Sequence, residues 1–300
     1  MKKIYFFAAA ALALAACSND DKYADNGPVA AQITANIGES TMSRATGTTW
    51  DTGDKIGITT FRENEQGVNE SKYINMEYIT ENADGVFTGT PMYFQDKTKP
   101  VDFVAYYPFT GTQGTAPSPI AAETSAENQT AENQPKIDFL YDHRKSITGS
   151  DPKVNFVFSH RMSKLTFTFK NGTGADVSKI TSYAVEGLTL TGSFNPADGT
   201  ATAAGDAATL TMENVTVENG VSMPSLIVFP QNTGNKTVNL HIYTNDNQHY
   251  ACQLQFGGGE IMCSNDYQYT ITVNRTGLNL ETSTIADWGV KLFNGDATLQ

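Results

Sequence analysis

The stretch VNFVFSHRMSKLTFTFKN, residues 154–171, decides the fold. Val154, Phe156, Phe158 and Met162 share one parity; Leu165, Phe167 and Phe169 share the other. A strand presents one face to the core at period two, so each run reads as a half-buried strand. The parity switch between Met162 and Leu165 requires a bulge or a bend there. His160 falls on the apolar parity, which marks a packed, hydrogen-bonded core histidine rather than a ligand.

The same pattern recurs on either side. Short strand-like runs cover residues 29–37, 56–61, 73–79, 85–88, 101–107 and 137–141 before it. Others cover 180–194, 208–212, 215–217, 226–229, 238–243, 249–256 and 267–273 after it. Gly, Asn, Asp and Pro separate them, which is the all-β signature. The roughly seven strands on each side predict two packed antiparallel β-sandwiches in series. The N-terminal sandwich spans 29–150 and the C-terminal sandwich with its tail 151–300, the boundary falling in the polar stretch 142–153. Residues 110–136 lack apolar periodicity, and TSAENQTAENQ (124–134) nearly repeats the unit TAENQ. So polar a segment reads as unordered, either a tolerated insertion or an exposed binding loop or variable epitope.

The chain opens with MKKIYFFAAAALALAAC and turns polar at Ser18. Lys2 and Lys3 precede an apolar run over 4–16, which is too short to span a bilayer and ends in the lipobox Leu14-Ala15-Ala16-Cys17. Residues 1–16 therefore read as a lipoprotein signal peptide and 17–28 as an acylated tether. The Cys17 thiol receives a diacylglyceryl group, and its acyl chains together satisfy the two-signal requirement for stable anchoring. The rest of the chain is expected to fold outside the cytoplasm. Its formal net charge of -12 carries no polyanion-binding footprint, which argues against nucleic acid as a partner.

Candidate chemistry is sparse. A two-residue turn at Gly257-Gly258 would set Cys252 opposite Cys263, at a separation compatible with a disulfide; two free thiols are the alternative. The glycines there lack the following helix and lysine of a phosphate loop. His241 and His249 could face each other across a hairpin turning at TNDNQ, while His143 stands alone. No metal-type spacing, EF-hand loop or nucleophile elbow occurs. No catalytic residue, metal or cofactor is expected beyond the covalent lipid. Arg44, in STMSRATGTTW (40–50), sits among small exposed residues that suit proteolysis, although a solvated surface arginine looks the same.

Five features now line up: the lipobox at Cys17, MSRATGTTWDTGDKIGI (42–58), FVFSHRMSKLTFTF (156–169), LIVFPQN (226–232) and IADW (285–288). In order and spacing the chain resembles the fimbrillin family, the subunits of type V pili. SNDD (18–21) is similar to the acidic signal that sends such lipoproteins to the outer face of the outer membrane. The resemblance implies two tandem transthyretin-like β-sandwich domains, no enzymatic activity, and a place in a surface fimbrium that supports adhesion. It implies an acyl anchor in the outer membrane and a cut by an arginine-specific protease between Arg44 and Ala45. The cut would release the strand at 29–37, and an extended segment of another pilus subunit would fill the groove. The family's donor segment is C-terminal, here 284–300, but Phe293 breaks the alternation of Val290 and Leu292, and 294–296 reads as a turn. A tip, accessory or anchor subunit fits that departure. The rival reading is a surface-exposed outer-membrane lipoprotein that binds glycan or a host ligand without polymerising, through a tryptophan or tyrosine exposed on one sandwich face; Trp50 and Trp288 are the only tryptophans. A hydrolase would need paired carboxylates, and nothing selects a pair.

Overall fold

The computed structural model describes residues 27–38, 49–63, 69–70, 72–234 and 236–288. The first half contains β1 (Gln32–Ile37), β2 (Lys55–Glu63), β3 (Asn69–Glu70), β4 (Met76–Ile79), β5 (Val86–Gly89), β6 (Val101–Tyr107), β7 (Ile120–Glu123), β8 (Leu140–Ile147) and β9 (Lys153–His160). The strand order β2-β4-β5-β1-β9-β8-β6 closes into a ring because β6 pairs back onto β2; β3 extends from β2. The N-terminal half is thus a ring of strands with one parallel pair, β1 with β9, where the strand pattern had predicted a packed antiparallel sandwich. Ile33, Ile56, Phe87, Phe103, Phe156 and Phe158 fill its interior.

The second half contains β10 (Ser163–Asn171), β11 (Ile180–Thr189), β12 (Thr191–Asn195), β13 (Thr200–Ala203), β14 (Ala207–Glu213), β15 (Leu226–Val228), β16 (Gln231–Asn232), β17 (Val238–Thr244), β18 (His249–Leu254), β19 (Glu260–Ile261), β20 (Asn265–Asn274) and β21 (Gly277–Asp287). Two four-stranded sheets, β15-β10-β20-β21 and β14-β11-β17-β18, share one core that includes Phe167, Phe169, Tyr183, Leu240 and Tyr269. This half is a sandwich, as expected, but its first sheet is mixed: β10 runs parallel to β20 over eight residue pairs, where antiparallel pairing was expected.

The parity switch in 154–171 is the passage between the halves. β9 completes the ring, β10 belongs to the sandwich, and only Arg161 and Met162 separate them. The expected boundary near residue 150 therefore moves to 161–162. The polar stretch that suggested it is largely the solvent-facing part of β8 and the turn into β9.

The segment 110–136 is ordered, contrary to the reading from its composition. β7 pairs with β12 in a three-stranded sheet with β13, so a segment of the first half completes a sheet of the second. The polar repeat then caps a free edge. The buried Gln129 amide donates to the Ile227 carbonyl (2.9 Å) and accepts from the Ile227 amide (2.8 Å), as a neighbouring strand would. Gln134, at the same place in the second copy of the repeat, donates to the Ser225 carbonyl at 2.7 Å. Two glutamine side chains thus serve the outer edge of β15, where unpaired backbone groups would otherwise be costly.

A third core joins the halves around Tyr106, Phe139, Met162, Phe194, Phe229 and Trp288. His160 is fully buried there, as its parity predicts. Its Nδ1 lies 2.7 Å from Asp138 Oδ1, and its ring stacks on Trp288 at 3.8 Å. The Lys164 ammonium sits 4.3 Å from the centre of the same indole. Burial holds the Lys164 pKa below its ordinary value, with Asp138 and Asp266 opposing that shift.

The disulfide expectation fails for a reason of register. Residues 257–259 form a 3-10 turn, β18 pairs only with β17, and β19 pairs with β16. Cys252 therefore faces Leu240 across the ladder instead of Cys263, and both cysteines are free. Cys263 is exposed, whereas burial raises the pKa of the half-buried Cys252 thiol.

Gln129→Leu, which keeps the volume but strands both backbone groups of Ile227, should cost about 2 kcal/mol in urea unfolding. Glu132→Ala, at an exposed site in the same repeat, should leave the midpoint unchanged. At pH 8, iodoacetamide should label Cys263 well before Cys252 by peptide mass mapping, since the thiolate is the reactive form; a Cys252–Cys263 crosslinked peptide would contradict the register.

Candidate functional site

β1 is the strand whose surroundings matter most. Its sequence, QITANI, points Ile33, Ala35 and Ile37 inward and leaves Gln32, Thr34 and Asn36 more exposed. It runs parallel to β9 across all six residues, Gln32 opposite Lys153 through Ile37 opposite Phe158. Against β5 it is antiparallel for only two pairs, Ile33 with Phe87 and Thr34 with Val86. Flanking bonds lengthen the hold: the Phe94 amide donates to the Val29 carbonyl, the Ala31 amide to Met92, and the Gly38 amide to Phe158. Burying each isoleucine contributes about 2–3 kcal/mol.

Trp50 closes one end of this seam. The Trp50 ring is buried and packs edge-on against Phe87, Tyr107 and Phe158 at 5.0, 5.6 and 5.5 Å. Its indole nitrogen donates to the Ala35 carbonyl at 2.7 Å. The following turn is held by Asp54, whose carboxylate accepts from the Asp51 amide (2.7 Å) and the Tyr107 hydroxyl (3.0 Å). Burial raises the Asp54 pKa against those two bonds. At the other end of the ring, a cavity of about 450 Å³ opens beside Met92, Phe94 and Phe103, with Arg62, Lys72, Tyr73 and Tyr93 in its walls.

Residues 29–37 thus lie within the ring. Cys17, Arg44 and Ala45 fall outside the described residues, as does the tail from 289, including Val290, Leu292 and Phe293. The start of the expected donor segment, Thr284–Asp287, is paired within β21 to Asn265–Gln268 of β20. Both tryptophans are buried anchors, not exposed platforms. His241 and His249 do meet, Nδ1 to Nε2 at 3.0 Å, but diagonally: the register sets Tyr243 opposite His249. The other ring nitrogen of His241 engages Glu186 at 2.9 Å, which lowers the Glu186 pKa. His143 pairs with Asp102 at the surface, at 3.3 Å. Among the described residues no group of three or more His, Cys, Asp or Glu could hold a metal, and no helix is long and apolar enough to cross a membrane. The bond from Trp50 to Ala35 had no sequence signal beyond an isolated tryptophan just before a turn.

Comparison with known proteins agrees with this geometry. A fimbrillin-like family model matches residues 43–288, from just before Arg44 to the indole stacked on His160. A Bacteroides uniformis protein named as a fimbrium subunit, Fim1C, is 27% identical over 308 residues, covering 93% of this chain and 92% of its own. A crystal structure from Bacteroides ovatus, named as a cell-adhesion protein, superposes with a TM-score of 0.72 at 28% identity, covering 88% of this chain and 99% of that one. Another so named, from Bacteroides uniformis, shares the fold with a TM-score of 0.68 at 24% identity and the same coverage. The family match takes in most of the barrel, the junction and the whole sandwich, and on that ground the chain belongs to the fimbrillin-like family.

Proposed function

We propose that this chain is a structural subunit of a cell-surface fimbria that supports adhesion and has no catalytic role. It is exported as a lipoprotein on Cys17, cut between Arg44 and Ala45, and assembled by strand exchange. In this reading its halves are the family's two transthyretin-like domains, the first with its edges closed by β2 and β6. Family membership and the fimbrial and cell-adhesion relatives support the subunit role. The observation that carries the exchange is the place of β1: a ring strand, flanked on both sides, that precedes Arg44 in the chain.

The physics of exchange follows from that place. While 38–49 is continuous, β1 is tethered to its own groove at a high effective concentration. A cut after Arg44 makes its hold bimolecular. Loss of β1 then opens the ring between β5 and β9, exposing two ladder edges and the core faces of Phe87, Phe156 and Phe158. An extended segment of another subunit restores the main-chain bonds and refills the inward positions. The donor in this reading is the C-terminal segment, freed from β21 or supplied by residues beyond Trp288. The partners are other pilus subunits, an arginine-specific protease and, before the cut, the outer membrane through the acyl chains.

One observation favours a second reading, a surface lipoprotein that binds glycan. The cavity beside Tyr73 and Tyr93 has the size and mixed lining of a small-ligand site. A glycan-array signal abolished by Tyr93→Ala would favour it.

The first reading makes a direct prediction. Arg44→Ala should leave the protein lipidated and monomeric, while protein shed by wild-type cells should begin at Ala45 on N-terminal sequencing. Polymer formation by Arg44→Ala would contradict the scheme.

A further inference from the structure

Resting on the strand-exchange reading, we propose that Trp50 and Gly85 form a socket for one backbone carbonyl. The socket sets the register of whichever segment lies between β5 and β9: first β1, then an extended segment of a second subunit.

Three observations converge on the Ala35 carbonyl. The β1–β5 ladder stops at Thr34 opposite Val86, where β5 begins. The Ala35 amide still reaches the Gly85 carbonyl at 2.8 Å. A residue's N–H and C=O point to the same side of a strand, so the Ala35 carbonyl faces the gap beyond the start of β5. Trp50 supplies the missing donor at 2.7 Å. Gly85, in the left-handed region at φ +77, clears the space: a Cβ there would come within 2.6 Å of the Ala35 oxygen. Rings from β5, β6 and β9 hold the indole on three sides, which fixes the direction of its N–H.

This arrangement discriminates between registers. A slip by one residue turns the carbonyl toward β9 and leaves a buried indole N–H without an acceptor. A slip by two restores the carbonyl but puts an isoleucine where Ala35 stands. The socket touches only main chain, so it admits different sequences. The seam then asks for a large, a small and a large inward residue, as Ile33, Ala35 and Ile37 provide. Trp50 lies beyond Arg44, so it stays with the body when β1 departs.

The test uses the full chain carrying Trp288→Phe, which leaves Trp50 as its sole tryptophan. Before any cut, Trp50→Phe keeps a ring but removes the donor. It should speed hydrogen exchange at the amides of 32–37 about tenfold and leave those of β20 unchanged. Equal rates at 32–37 overturn the socket. After cutting at Arg44, the peptide VAAQITANIG (29–38) should bind and shift Trp50 emission to the blue. VAAQATINIG, which puts an isoleucine at the inward position of Ala35, should bind at least tenfold more weakly. Equal binding of the two peptides overturns the register role. If the cut body releases β1 yet takes up neither peptide, the strand-exchange reading falls and the second-subunit half of the proposal with it. The exchange rates of the uncut chain still decide whether the socket holds β1.

Discussion

Everything in the N-terminal half depends on closure of the backbone hydrogen-bond ladder. A β-sheet ends in unpaired amides and carbonyls, and a protein must cover them, charge them or join them. Here β2 and β6 join two ends, while β1 bridges β5 and β9. The ring has no free edge only while β1 is present. A single six-residue strand therefore separates a sealed barrel from one with a groove lined by apolar rings. In the proposed strand-exchange reading, that strand is the one a cut after Arg44 would free.

The C-terminal half answers the same constraint differently. Its sandwich leaves β15 at a sheet edge, and Gln129 and Gln134 cover that edge with side-chain amides. The two halves are bound through Phe139, Met162, Phe194 and Trp288, and through β7, which crosses from one to pair in the other. The body that remains after loss of β1 thus keeps an intact sandwich, an intact junction and most of the barrel ladder.

What could be read from the chain alone follows a physical divide. Inward and outward faces depend on period-two alternation, a local property, so Val154, Phe156, Phe158, Leu165, Phe167 and Phe169 announced their faces without coordinates. The burial of His160 followed from parity in the same way. Ring closure by β2 and β6 depends on which strands meet across long stretches of chain, and no local pattern carries that. The edge-capping role of Gln129 was hidden because a polar repeat looks equally polar whether its amides face water or a strand edge. The cysteine pairing failed because the turn at 257–259 did not start a hairpin, which moved Cys252 onto Leu240. Nothing near Trp50 in the sequence pointed to Ala35, since the acceptor is a main-chain atom.

The parallel alignment of β1 with β9 bears on mechanics. Six consecutive residue pairs hold the two strands side by side. A pull along the length of a strand seated there loads those rungs together in shear, and rupture requires many bonds to fail at once. Tension applied across the strand would part them singly, like a zip. A thread of such joints, strained along its axis, would therefore resist breakage far better than the modest strength of any single rung suggests.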